Sequence, residues 1–254
     1  MVCGLLAIGG VGGSGTRVVA RISQEVGCFL GNTLNDSLDN LEYTKRFKRK
    51  DISSLPDVEF NALAQEFSAL LREEFSLTGY TRCGWKEPNT HVSINRLLNL
   101  MPELSYIHVF RNGLDMALSK NQSQTALWGE EFVGHATVGP INPRYSLKYW
   151  CAVHRRMEEL AKLDHLRSRI HFLNFDRLVL EPKQTLRGMF AFMSETASSS
   201  AMETLEGLIS NPFTANRWRL VGKDAFDKED FDFCVRFMKD RGDVGELYHG
   251  QFTP

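Results

Sequence analysis

The chain has 254 residues, a length that suits one large domain, and it is ordinarily globular, with 43% hydrophobic and 24% charged residues. A formal net charge of −1 excludes the basic excess of a general nucleic-acid binder, and no apolar run reaches the length of a membrane span. The five cysteines (Cys3, Cys28, Cys83, Cys151, Cys234) hold no CxxC pair and no metal-ligand spacing, so we expect a reduced, cytoplasmic protein without a disulfide framework or a metal centre.

In chain order, VCGLLAI (2–8) is a continuous apolar run of the kind expected in a strand buried on both faces. It lacks the charged start of a signal peptide and runs straight into GGVGGSGTRVV (9–19), a glycine-rich turn that opens a helix ending at Gly27. CFLG (28–31) is the second expected strand. Residues 32–57 read as a polar excursion that includes KRFKRK (45–50), with five cations in six positions. Such a run is either a solvated loop or a landing strip for an anionic substrate.

An amphipathic helix is expected over 58–75, with Phe60, Leu63, Phe67, Leu70 and Leu71 on one side. RCGWKEP supplies a third strand stopped by Pro88, and a helix over 91–100 follows. SYIHVFR (105–111) is the clearest strand, and it feeds a helix at GLDMALSKNQ. Residues 121–143 show no periodicity and read as a lid or substrate loop. Beyond them we expect a helix over 144–163, a fifth strand at IHFLNF (170–175), and helices near 183–194, 200–209 and 228–240. Strands alternating with helices imply a three-layer α/β domain, a parallel sheet of about five strands flanked by helices. Its ligands belong at the carboxyl ends of the strands.

The glycine loop falls at such an end. Its five glycines free backbone N–H groups to turn inward, Ser14 and Thr16 add hydroxyls, and the positive end of the following helix favours an anion. Gly10 and Gly15 fit the Walker spacing, but Thr16 occupies the lysine position and Arg17 follows. Gly10, Gly12 and Gly15 also fit a dinucleotide fingerprint, with Asp36 beyond it. A second anion site is expected from FRNGLDMALSKNQ. There Arg111 ends a strand, and Asp115 and Ser119 would share a helix face four residues apart. Taken alone, an Arg111–Asp115 pair is an equal alternative.

Taken together, these elements resemble the sulfotransferase family, which uses 3′-phosphoadenosine 5′-phosphosulfate (PAPS) and releases the bisphosphate PAP. The resemblance implies a P-loop-like sulfotransferase fold. It assigns the 5′-phosphosulfate to Gly12, Gly13, Ser14, Gly15, Thr16 and Arg17, and the 3′-phosphate to Arg111 and Ser119 of an RNPxDxxxS-like element. HFLNFDRLVLEPKQTL, with Asp176, Leu178, Pro182, Thr185 and Leu186, resembles a further family segment of mainly structural character. Many members carry a cation just before the SGT triplet, where this chain has Gly13. Lys86 in WKEP is the expected substitute, with Arg17 as the other candidate. The acceptor's base is expected at Glu87 or His91, both near the third strand end.

His108 and Trp85 read as core residues. Arg217, Trp218, Arg219 and Lys223 occupy the stretch where relatives add a basic loop over the 3′-phosphate. The resemblance implies a sulfotransferase acting on a small-molecule or glycan acceptor, covered by 32–57 and 121–143. A P-loop-type small-molecule kinase and a non-catalytic PAPS- or PAP-binding protein are the rival readings.

Overall fold

Five apolar runs hydrogen-bond into one sheet: β1 (Leu5–Gly9), β2 (Cys28–Phe29), β3 (Arg82–Lys86), β4 (Leu104–Phe110) and β5 (Ile170–Asn174). The computed structural model describes residues 4–210 and 215–242. Every pairing is parallel, in the order β2-β3-β1-β4-β5. β1 is central: Leu5 pairs with both Cys83 and Leu104, and Ile8 with both Lys86 and Ile107.

The uninterrupted apolar character of β1 follows from burial on both faces. Leu5 and Ala7 pack into one layer of core with Trp85, Tyr106 and Trp150, whereas Leu6 and Ile8 enter the opposite layer with Val19, Ile107 and Leu173.

Twelve helices cover the described chain: α1 (Thr16–Glu25), α2 (Leu41–Phe47), α3 (Asp57–Ser76), α4 (Thr90–Leu100), α5 (Gly113–Ala117), α6 (Ser123–Val133), α7 (Pro143–Lys162), α8 (Asp164–Arg167), α9 (Phe175–Leu180), α10 (Pro182–Met193), α11 (Ser199–Glu206) and α12 (Lys228–Asp240). The five-stranded, all-parallel sheet flanked by helices is the architecture read from the sequence. Of the expected first strand, Val2 and Cys3 lie outside the described residues. None of the described helices is long and apolar enough to cross a membrane.

Three local expectations need correction. The excursion at 32–57 contains α2, because Tyr43 and Phe47 dock into an aromatic cluster with Phe67 and Trp85. The segment at 121–143 contains α6. The helix after β4 stops at Ala117, so Ser119 does not share a helical face with Asp115. Gln122 Nε2 donates to the carbonyls of Met116 (3.0 Å) and Ser119 (2.9 Å), satisfying helix-end acceptors there.

Candidate active site

The carboxyl ends of β1, β3 and β4 open on a cleft of about 500 Å³. At its centre is the glycine loop. Gly10 lies so close to β4 that a Cβ there would sit 2.1 Å from the Val109 carbonyl oxygen. Gly15 caps α1 at φ +95°, and a Cβ on it would meet the Phe175 ring at 2.1 Å. The first amides of α1 have no carbonyl within the helix to donate to, and Thr16 and Arg17 at that end line the cleft. Gly12, Gly13 and Gly15 also line it, and Gly13 (φ +91°) has open space around it. The Ser14 side chain does not line the cleft. Its Oγ is buried beneath the loop beside Gly10, without a hydrogen-bond partner among the described residues.

On the β4 side, Arg111 reaches the cleft from the strand end. Its Nε lies 3.6 Å from Asp176 Oδ1, and Asp176 Oδ2 accepts the Asn112 N–H at 2.7 Å. Burial pushes Asp176 up to about 6, against the pull of the Asn112 N–H and of Arg111. The segment read as mainly structural therefore holds Arg111 in place.

The charge of Arg111 also reaches Asp115, whose hydrogen bonds go to another segment. The carboxylate of Asp115 accepts the N–H groups of Asn216 (2.7 Å) and Trp218 (3.1 Å), and Arg217 Nε donates to its carbonyl at 2.8 Å. This fastens the turn at Arg217–Leu220 to α5. Ser119 is absent from the cleft wall, where Asn121, Ser123 and Gln124 stand instead.

On the β3 side, Lys86 and Glu87 both face the cleft. Lys86 Nζ pairs with Asp39 Oδ1 at 2.5 Å and donates to the Ser37 carbonyl at 2.8 Å. Burial lowers its proton affinity and Asp39 opposes that. Glu87 is thus not the partner of Lys86. Its Oε2 accepts the Asn89 N–H and its Oε1 the Asn89 Nδ2–H, both at 2.6 Å. Burial pushes Glu87 up to about 7 despite these donors, which puts a carboxylate's titration close to neutrality.

His91 is not on the cleft wall. Its Nδ1 donates to the Pro88 carbonyl at 2.8 Å, so the neutral ring accepts the Tyr149 hydroxyl on Nε2 at 3.0 Å. Burial holds it down at about 4. Because Gly10 N–H also donates to Pro88 O (3.1 Å), His91 braces the junction between β3 and the loop.

A sulfotransferase family model matches residues 11–198. The chain belongs to the sulfotransferase family. No curated protein matches it by sequence. The solved structures similar to it include the sulfotransferase domain of the curacin biosynthetic pathway (14% identity, 93% of this chain and 98% of that one, TM-score 0.57). Sulfotransferase STF9 of Mycobacterium avium is another, at 14% identity over 96% of this chain and 78% of its own, with a TM-score of 0.54. A third is the sulfotransferase domain of the Synechococcus PCC 7002 olefin synthase, at 14%, with 92% and 94% covered and a TM-score of 0.55. At such identities the likeness is one of fold.

In this sulfotransferase the cleft gathers Gly12, Gly13, Gly15, Thr16, Arg17, Lys86, Glu87 and Arg111, and leaves out Ser14, Ser119 and His91. Four features escaped sequence reading: Asp39, Asn89, Gln124 and the support of Arg111 by Asp176. Asn89 carried a signal, being a hydrogen-bonding residue just before a helix and two after a candidate base. The other three meet the cleft only through tertiary packing. Of KRFKRK, Lys48 lines the cleft, whereas Arg46 pairs with Glu42 and Arg49 with Asp51.

Proposed function

We propose that this sulfotransferase is PAPS-dependent and carries out in-line transfer to a hydroxyl or amine, with Glu87 as the base. What carries the reading is that one cleft unites a glycine-loop anion cradle, a second cationic site at Arg111, and a buried carboxylate that titrates near neutrality. A donor with two separated phosphate groups matches two separated anion sites. The 5′-phosphosulfate would lie on the amides of Gly13, Gly15, Thr16 and Arg17, the Ser14 N–H being taken by the Val11 carbonyl, and the 3′-phosphate near Arg111.

Glu87 takes the acceptor proton while the acceptor oxygen or nitrogen attacks sulfur and the bond from sulfur to the 5′-phosphate oxygen breaks. Negative charge then builds on the departing phosphate. Arg17, exposed at the start of α1, and Lys86, across the cleft, are the cations placed to meet it, in lieu of the one missing at Gly13. His91 serves as a brace. The acceptor is a small molecule or glycan. Lys48 is the cleft cation on the β3 side that takes part in no ion pair among the described residues, and it favours an acceptor bearing an anionic group.

The test is calorimetry of PAP, ADP and ATP with magnesium on the native protein and on Arg111→Ala. Micromolar PAP binding, weakened about tenfold or more in the variant by loss of charge-assisted hydrogen bonds, is the expected outcome. Preference for ATP with magnesium would overturn the reading in favour of a kinase. Tight PAP binding with no PAPS turnover on any acceptor would leave a binding protein.

A further inference from the structure

The two halves of the cleft are tied together by α6. Gln124 and Trp128 stand four positions apart on this helix and so share one face. Gln124 Oε1 accepts the Gly12 N–H at 2.5 Å, and its Nε2 points to the Gly10 carbonyl at 3.5 Å, so one side chain clasps the glycine loop on two sides. Trp128, fully buried, donates from Nε1 to Asn89 Oδ1 at 2.8 Å. That bond fixes which end of the Asn89 amide is the acceptor and leaves Nδ2 to donate to Glu87 at 2.6 Å. The helix is seated firmly: Gly129 lets the Tyr145 ring approach so closely that a Cβ would be 2.8 Å from it, and the Tyr145 hydroxyl donates to the His135 carbonyl at 2.7 Å.

We propose that Gln124 and Trp128 are positioning residues, through which a single helix holds the donor loop and the base in register. Gln124 acts on the loop directly, and Trp128 acts on Glu87 through Asn89. The inference rests on the reading of the loop as the donor site and Glu87 as the base, but its two arms have separate readouts.

Without the indole N–H, the Asn89 amide is free to turn its oxygen toward Glu87 or to swing away. Either outcome removes a hydrogen bond that favours the ionised carboxylate, so Glu87 should bind its proton more tightly.

The experiment follows Glu87 by NMR on the full chain labelled with carbon-13 glutamate, its signal assigned by its loss in Glu87→Gln, beside calorimetry with PAP. Trp128→Phe keeps the ring and removes only the donor. It should raise the Glu87 midpoint by about half a unit, a threefold change in proton affinity, and leave the PAP dissociation constant within about twofold. Gln124→Ala should do the reverse: PAP binding weakened about tenfold, the value of one hydrogen bond to the loop, with the Glu87 midpoint in place.

If Trp128→Phe lowers the melting temperature but leaves the Glu87 midpoint unmoved, Trp128 is packing alone and its half of the proposal falls. If Gln124→Ala binds PAP as well as the native chain, the other half falls. A native protein that ignores PAP would refute the donor reading together with the Gln124 arm, whereas the Trp128 arm is decided by the titration itself.

Discussion

Glu87→Gln makes the electrostatics of the cleft measurable without any acceptor. In the fold, burial raises the Glu87 carboxyl to about 7 from an ordinary value of 4.5. An acid raised on folding costs nothing when both states are protonated and its full penalty when both are ionised. The fold is therefore penalised progressively as pH rises from 4.5 through 7.

With those two values, the penalty grows by about 2–3 kcal/mol between about pH 5 and about pH 8. Glutamine is close in shape and never ionises, so the variant escapes that growth. Its mismatched contact with the two Asn89 donors costs about 1–3 kcal/mol, a pH-independent amount. Urea unfolding of both proteins across this range should show the variant gaining about 2–3 kcal/mol on the native chain toward alkaline pH, a relative midpoint shift of about 1 M. Asp176 and the buried histidines are common to both proteins and cancel in the difference. A difference flat with pH would mean that Glu87 titrates as an ordinary surface carboxylate, and its assignment as a base tuned by burial would be refuted.

Two glycines in the loop should behave unequally. Gly13→Ala has space for its Cβ and should cost only the left-handed backbone penalty of about 1 kcal/mol. Gly15→Ala drives a methyl into Phe175 and should abolish PAP binding or soluble expression, as titration and yield will show. Asp115→Ala strands the N–H groups of Asn216 and Trp218 and should lower stability by about 2 kcal/mol in a thermal melt, with faster tryptic cutting at Arg217. Lys48→Glu should leave PAP affinity unchanged within about twofold and raise KM for anionic acceptors about tenfold over neutral analogues, a contrast that equal effects on both classes would refute.

The sheet was legible because its strands are short apolar runs bounded by glycine, proline or polar turns, and two-sided burial writes just that pattern. The helix α6 was not, because the face it buries consists of Gln124, Thr125, Trp128 and Gly129. That face is made for hydrogen bonds and close approach, so a search for apolar periodicity passes over it. Ser119 was misplaced for a related reason: the pattern of GLDMALSKNQ continues a helix, and only the Gln122 side chain, folding back on the carbonyls, reveals the stop. The glycine loop and Arg111 are fixed by strand ends and were visible locally. Whether His91 or Glu87 meets the cleft depends on which way the chain turns after Pro88, and no spacing encodes that.

The central place of β1 in the sheet has a consequence for biosynthesis. Its pairing partners, β3 and β4, come late in the sequence: Leu5 waits for Cys83 on one side and Leu104 on the other. At about 5–20 residues per second of translation, the apolar β1 waits roughly 4–15 s before β3 has been made in full and roughly 5–20 s before β4 has. The strand that carries the glycine loop is thus also the segment most in need of shielding on a nascent chain. Slowed synthesis between residues 10 and 110 should raise the aggregated fraction more than the same delay placed after Phe110.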